Sequence, residues 1–204
     1  MKDPGSRRLP EIYLLGGPNG AGKTTAAREF LAKRLELLTF VNADVIAQGL
    51  SGFAPDTVAR EAARIMLQRV EELAASCSDF ALESTISGLT LANSLKRWKA
   101  VGYRVHIAYF WLRSPDLAVA RVAERVRKGG HSVPEETIRR RWRRSARNFF
   151  ARYRPLADTW EVYDNTAEDT YRLMAHGDPD FSAKVLDANT WAEFQRVAEY
   201  GKTN

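Results

Sequence analysis

The 204-residue sequence predicts an α/β fold in which five short strands alternate with helices and form a mainly parallel core sheet covered on both faces. Three observations predict it. Short apolar runs recur at IYLLGG, TFVNAD (39–44), DFALES (79–84), YRVHIAYFWL (103–112) and WEVYDN (160–165). Segments with helical spacing of apolar residues separate them. The fourth run has no polar face, as expected of a strand buried from both sides.

The elements follow in order. Residues 23–37 read as a helix with Ala27, Phe30, Leu31 and Leu35 on one side. Pro55 opens a long helix to about Ser76, with Val58, Ala62, Ile65, Met66, Val70 and Leu73 on one face. Residues 88–100 form the next, stopped by Gly102. Ser114 is the expected N-cap, with Pro115 at the first position, of a helix to Lys128. Ser132 and Glu135 have the spacing of a capping box, which predicts a helix to about Ala151. RLMAH and AKVLD are expected to pair as a hairpin around GDPD, followed by a helix from Trp191. No linker is long enough to divide the chain, so residues 1–204 read as a single domain. Its lid region spans about 121–147 and its C-terminal appendage about 166–204.

A single cysteine, Cys77, leaves no internal disulfide and points to a reducing compartment. VHIAYFWL is far too short to span a bilayer, and no apolar leader precedes it. The expectation is a soluble cytoplasmic protein.

Gly17-Pro18-Asn19-Gly20-Ala21-Gly22-Lys23-Thr24 fits G-x-x-x-x-G-K-[ST] without a gap, with a strand before it and a helix after it. Such a loop wraps a phosphate chain so closely that side chains would clash, and it needs backbone angles that glycine takes cheaply. Its N–H groups and the helix N-terminus then face the anion. The expected ligands are ATP or GTP with Mg²⁺. Lys23 is expected to reach the β- and γ-phosphates, Thr24 to ligate the metal, and Thr25 to stand beside it.

Two acids, Asp44 and Glu83, stand where strand carboxyl ends are predicted, on the same edge as the glycine loop. An acid there can orient a hydroxyl and take its proton as the phosphoryl group moves. Asp44 is the candidate base, while Glu83 and Thr85 are candidates to hold the acceptor or a metal-bound water. No strand ends in the Asp-Glu signature of motor ATPases, which favours a small kinase.

The basicity is local. Residues 121–154 hold twelve Arg or Lys against three Glu, in a chain whose net charge is +6. Arg121, Arg125 and Lys128 form one stripe at helical spacing. In the next helix Ile138, Trp142 and Phe149 make an apolar stripe flanked by Arg139 and Arg141, which can swing over phosphates. Arg140, Arg143, Arg144 and Arg147 face away. RKGGHSVPEE joins the two helices as a glycine-hinged basic loop, the form of a lid that excludes water and brings cations to a transition state. Arg125 is the candidate catalytic cation; Arg121 and His131 are candidate substrate contacts. Two other classes stay open: a nucleic-acid binder using the outward arginines with Arg152, Trp142 and Phe150, and a nucleotide-binding regulator with little turnover.

GPNGAGKTT, VNAD, LEST and RVRKGGHSVPEETIRRR, in that order, resemble the zeta-toxin-like P-loop kinases over about residues 10–165. The resemblance implies a kinase-like P-loop NTPase fold, three layers α/β/α around a five-stranded core sheet. Larger members phosphorylate a hydroxyl of UDP-N-acetylglucosamine, and a small antitoxin blocks their ATP site. Carried over by motif, Lys23 and Thr24 match the phosphate and Mg²⁺ residues, Asp44 the base, and Glu83 and Thr85 the substrate-binding pair. Arg125 and a residue near GGH match two functional arginines, and His131 stands about where one of them is expected. The chain is shorter than the larger toxins, so its acceptor can differ. The expected partners are a small-molecule hydroxyl acceptor and an antitoxin protein, rather than nucleic acid or membrane.

Overall fold

A computed structural model describes residues 8–30, 39–52, 55–130, 132–167, 170–178 and 183–200. These residues form a seven-stranded sheet in the order β2-β3-β1-β4-β5-β6-β7. The strands are β1 (Glu11–Gly16), β2 (Phe40–Val41), β3 (Phe80–Ser84), β4 (Arg104–Trp111), β5 (Thr159–Asp164), β6 (Arg172–Gly177) and β7 (Lys184–Val185). The first five are parallel, and β6 and β7 add antiparallel to the β5 edge. The five-stranded parallel core is therefore as expected, and the hairpin predicted after it extends the sheet by two strands.

The helices are α1 (Lys23–Phe30), α2 (Ala43–Leu50), α3 (Ala59–Ala75), α4 (Thr90–Ala100), α5 (Pro115–Arg127), α6 (Glu135–Asn148) and α7 (Ala188–Tyr200). Residues 31–38 of the predicted first helix lie outside the described residues. Ser114 caps α5 as its position predicts, accepting a hydrogen bond from the Leu117 amide at 3.1 Å. The helix expected from Pro55 begins as a 3-10 turn, Pro55–Val58, and buries Ala62, Met66, Val70 and Leu73 along α3.

Three predictions need correction. The run TFVNAD is a strand only at Phe40–Val41; Asn42 then caps α2, so Asp44 sits in the first turn of a helix rather than at a strand end. Ser132 and Glu135 make no capping box: Pro134 occupies the cap position of α6 without a side-chain bond. Its fixed φ already sets the entry angle, so the serine is not needed. Finally, α6 runs not to Ala151 as one helix but into a π-helical turn, Phe149–Tyr153.

The core lies where α4, the π-helical turn and α7 cover one face of the sheet. Phe80 meets Trp98 of α4 edge-on at 5.8 Å. Tyr109 and Trp111 of β4 lie 5.1 and 4.6 Å from Phe194 of α7, and Phe149 lies 4.8 Å from Tyr109. Trp160 of β5 stacks on Trp191 at 5.8 Å. Arg172 of β6 ties this addition together, reaching Asp164 at 3.0 Å and Asp187 at 2.8 Å.

Register positions the site. Gly16 pairs with both Ser84 and Tyr109, so β1 and β3 end at one level and β4 runs two residues past it. The order in which strands are added reverses around β1, with β2 and β3 on one side and β4 on the other. Open α/β sheets bind ligands at such a switch point, beyond the carboxyl ends of the strands.

Phe194 is fully buried among five aromatic neighbours. Phe194→Ala is expected to lower the unfolding free energy by about 3–5 kcal/mol in denaturant titration. A loss under about 1 kcal/mol would mean that α7 is not part of the core.

Candidate active site

The loop after β1 has the strained backbone its glycines permit. Gly17 and Gly22 have φ of +141° and +79°. A β-carbon on Gly17 would lie 2.4 Å from the Phe110 carbonyl oxygen, and one on Gly22 2.5 Å from Asn165 Nδ2. The loop is braced from behind through its carbonyls. Asn165 Nδ2 donates to Ala21 O at 2.9 Å, Tyr171 Oη to Gly22 O at 3.3 Å, and Lys23 Nζ to Pro18 O at 2.9 Å. The Ala21 amide is bonded to Pro18 O at 3.3 Å, and the amides at the N-terminus of α1 are the groups left for an anion in the cleft.

Lys23 is 5% exposed. Burial pulls its ammonium below the ordinary lysine value, and the Glu83 and Asp44 carboxylates pull it back up. Glu83, from the end of β3, has Oε1 3.6 Å from Lys23 Nζ, while its Oε2 accepts from Thr24 Oγ1 and from Asn42 Nδ2, each at 2.7 Å. Asn42 Oδ1 in turn accepts from the amides of Asp44 and Val45 at 2.7 and 3.3 Å. Asp44 Oδ2 faces Arg125 Nη1 at 3.5 Å.

These groups converge in a cleft of about 960 Å³. Its far wall is α2 and α3, with Gln48, Ala59, Ala63, Met66 and Leu67, and the loop after β3, with Ser84 and Thr85. That loop is strained: Ile86 has φ +46°, an outlier for a β-branched residue. Asn148 Nδ2 holds it by donating to Ile86 O at 2.8 Å, and Tyr153 Oη by donating to Gly88 O at 2.9 Å. Burial pushes the Tyr153 hydroxyl up to about 12, so it stays a donor. The π-helical turn aims Tyr153 into the cleft wall, a frequent use of such turns.

Arg141 reaches Asn19 Oδ1 at 3.4 Å, and its burial pulls the guanidinium pKa below the ordinary arginine value. Arg121 donates to the carbonyls of Asn165 and Thr166 at 2.7 and 3.1 Å. Among the described residues no group of three or more His, Cys, Asp or Glu could hold a metal by itself. A hydroxyl against a carboxylate, as at Thr24 and Glu83, is the hard-oxygen environment of a magnesium that keeps waters and shares a nucleotide's phosphates. The residues fit that ion.

The sequence profile described as zeta toxin matches residues 2–173. The chain belongs to the zeta toxin family. Zeta toxins are P-loop kinases, and the α/β fold with its mainly parallel sheet is theirs. An uncharacterized protein of Haemophilus influenzae is 28% identical over 126 residues, covering 62% of this chain and 88% of that one. Among solved structures, the AvrRxo1-ORF1:AvrRxo1-ORF2 complex with sulphate ions superposes with a TM-score of 0.72 at 16% identity, over 93% of this chain. This chain spans 64% of that protein, which has also been crystallised with ATP (TM-score 0.70, 17% identity). The PezAT chromosomal toxin-antitoxin system of Streptococcus pneumoniae matches with a TM-score of 0.62 at 15% identity, over 96% of this chain and 86% of that one. At these identities the structural likeness is one of fold.

Asn19, Gly20, Gly22, Lys23, Thr24, Thr25, Asp44, Glu83, Thr85, Arg121 and Arg125 all line the cleft, and Gly17, Pro18 and Ala21 form the back of the loop. His131 lies outside the described residues. Arg121, named as a substrate contact, is occupied in bracing the loop after β5. Arg139, expected to swing over phosphates, is held by Asp116 and Glu135 at 2.7 and 2.8 Å instead. The other flanking arginine, Arg141, does reach the loop. Sequence reasoning missed Asn42, Asn165, Asn148 and Tyr153. Asn42 left a signal, because an Asn two residues before an Asp fits a helix N-cap. The other three act on loops distant in sequence and left none.

Asn165 is 5% exposed, and its amide is the partner of Ala21 O. Asn165→Ala is expected to cost about 1–3 kcal/mol of stability by leaving that carbonyl unpaired. Calorimetric titration with ATP should show weakened binding alongside it; unchanged stability and affinity would remove the bracing role.

Proposed function

We propose that the protein is a kinase that transfers the γ-phosphoryl group of ATP, or of GTP, to a hydroxyl of a small molecule. The observation that carries this reading is the convergence of Lys23, Glu83, Asp44 and Arg125 in one cleft beside a loop built to present amides to an anion.

The loop amides and the N-terminus of α1 bind the phosphate chain. Lys23 exchanges its bond to Pro18 O for a β- or γ-phosphate oxygen and holds positive charge there as the bond breaks. Thr24, with Glu83 behind it, is the side chain to hold Mg²⁺, which supplies charge neutralisation between the phosphates. Asp44 orients the acceptor hydroxyl and takes its proton as oxygen bonds to phosphorus and the bond to the leaving diphosphate breaks. Arg125, 3.5 Å from Asp44, and Arg141, at the loop, neutralise charge on the transferred group. Thr85, on the strained loop, offers a hydroxyl to the acceptor, whose apolar part rests on Ala59, Ala63, Met66 and Leu67.

A nucleotide sugar such as UDP-N-acetylglucosamine is the first acceptor to test. The PezAT match is a toxin-antitoxin system, and an antitoxin protein that covered this cleft would block nucleotide binding here. The arginines at 140, 143, 144 and 147 do not line the cleft, and all four are exposed, so a nucleic-acid substrate finds no support in the site.

Labelled ATP should transfer phosphate to UDP-N-acetylglucosamine or to a component of a bacterial metabolite extract. Lys23→Ala should reduce ATP affinity at least tenfold by calorimetry. Asp44→Asn should lower kcat by about 10²–10⁴ with ATP affinity within threefold of the parent. Transfer by Asp44→Asn at the parent rate would refute the assignment of the base.

A further inference from the structure

Asn42 stands between the two carboxylates of the site without touching the cleft's cations. It is 5% exposed, and both ends of its amide are engaged. The oxygen receives the amides of Asp44 and Val45 at the start of α2; the nitrogen donates to Glu83 Oε2, the same oxygen that receives Thr24 Oγ1. An amide is the side chain that suits this place. A carboxylate could cap the helix but would repel Glu83, and a hydroxyl could cap it but is shorter by a bond. A helix cap alone needs none of this, because Ser, Asp and Asn cap about equally well.

We propose that Asn42 is a positioning residue that locks the phosphate side of the site to its acceptor side. Through its oxygen it sets where α2 starts, and so where Asp44 stands. Through its nitrogen it holds Glu83 in the rotamer that meets Thr24 on one oxygen and Lys23 on the other. Besides Asn42, Lys23 and Thr24 of α1 meet Glu83, the lysine as an ion pair at 3.6 Å to Oε1 and the threonine by a hydrogen bond at 2.7 Å to Oε2. Asn42 therefore supplies the second donor that stops the carboxylate from turning away from the metal-side hydroxyl. The inference rests on the phosphoryl-transfer reading of the same cleft.

The test uses Asn42→Ser and Asn42→Asp in the full chain. Both keep a capping oxygen, so Asn42→Ser should melt within about 4 °C of the parent, while Asn42→Asp sets a second buried carboxylate against Glu83 and should melt lower. Calorimetric titration with ATP is run with Mg²⁺ and again with EDTA. The gain in affinity that Mg²⁺ brings should change at least fivefold in each variant, and kcat for phosphate release to water or to UDP-N-acetylglucosamine should fall at least tenfold. A magnesium gain and turnover equal to the parent's in both variants would reduce Asn42 to a helix cap and overturn the proposal. Should Asn42→Asp fail to fold, Asn42→Ser carries the comparison. A parent that binds ATP with Mg²⁺ but transfers phosphate neither to these probes nor to any component of a bacterial metabolite extract takes away the kinase reading, and the magnesium gain of the variants still decides Asn42.

Discussion

A lysine ammonium buried beneath a glycine loop is the constraint on which the rest of the structure depends. Removing that charge from water costs several kcal/mol unless partners replace the solvent. Here Pro18 O and Glu83 do so, at 2.9 and 3.6 Å. The carboxylate must then be held in place, and Thr24 and Asn42 hold it. Asn42 can reach it only because β2 is two residues long and the chain turns at once into α2. One buried charge thus sets a chain of contacts from the phosphate loop to the candidate base.

Rigidity at the two ends of the cleft comes from different sources. The phosphate loop is held by its carbonyls, through side chains at the two ends of the connection between β5 and β6. The loop after β3 is held by α6 and the turn that follows it. Asn148 and Tyr153 grip Ile86 and Gly88 and keep a β-branched residue in a left-handed conformation it would otherwise leave. The same helix sends Arg141 to Asn19 near its beginning. A single helix therefore touches both the phosphate loop and the opposite wall, so a change in one loop is mechanically tied to the other.

The arginines of residues 121–154 show why local charge is a weak guide to partners. Their count alone fits nucleic acid as well as phosphate. Position separates them. Arg125 and Arg141 line the cleft, Arg121 is spent on backbone carbonyls and Arg139 on carboxylates, while Arg143 and Arg144 are on the solvent face. A helix with one apolar stripe must put its remaining cations somewhere, and solvent costs least.

Much of this was legible in the sequence because it is local. Strand-loop-helix order around GGPNGAGKT, the cap at Ser114 and the apolar faces of the helices depend on neighbours three or four residues apart, and periodicity reports them. Asp44 and Glu83 were recognisable as candidates because acids beside a phosphate loop have few other uses. Their relation was not legible: Asn42 and Glu83 are 41 residues apart, and only sheet order brings them to one hydrogen bond. The same holds for Asn165 behind the loop and for Tyr153 on the far wall. Sequence by itself determined which backbone can take the conformation of a phosphate-binding loop, since glycine's freedom at φ > 0 is a property of the residue. Tertiary structure decided which side chains stand around it, since a hydrogen bond between distant segments depends on the packing that places them.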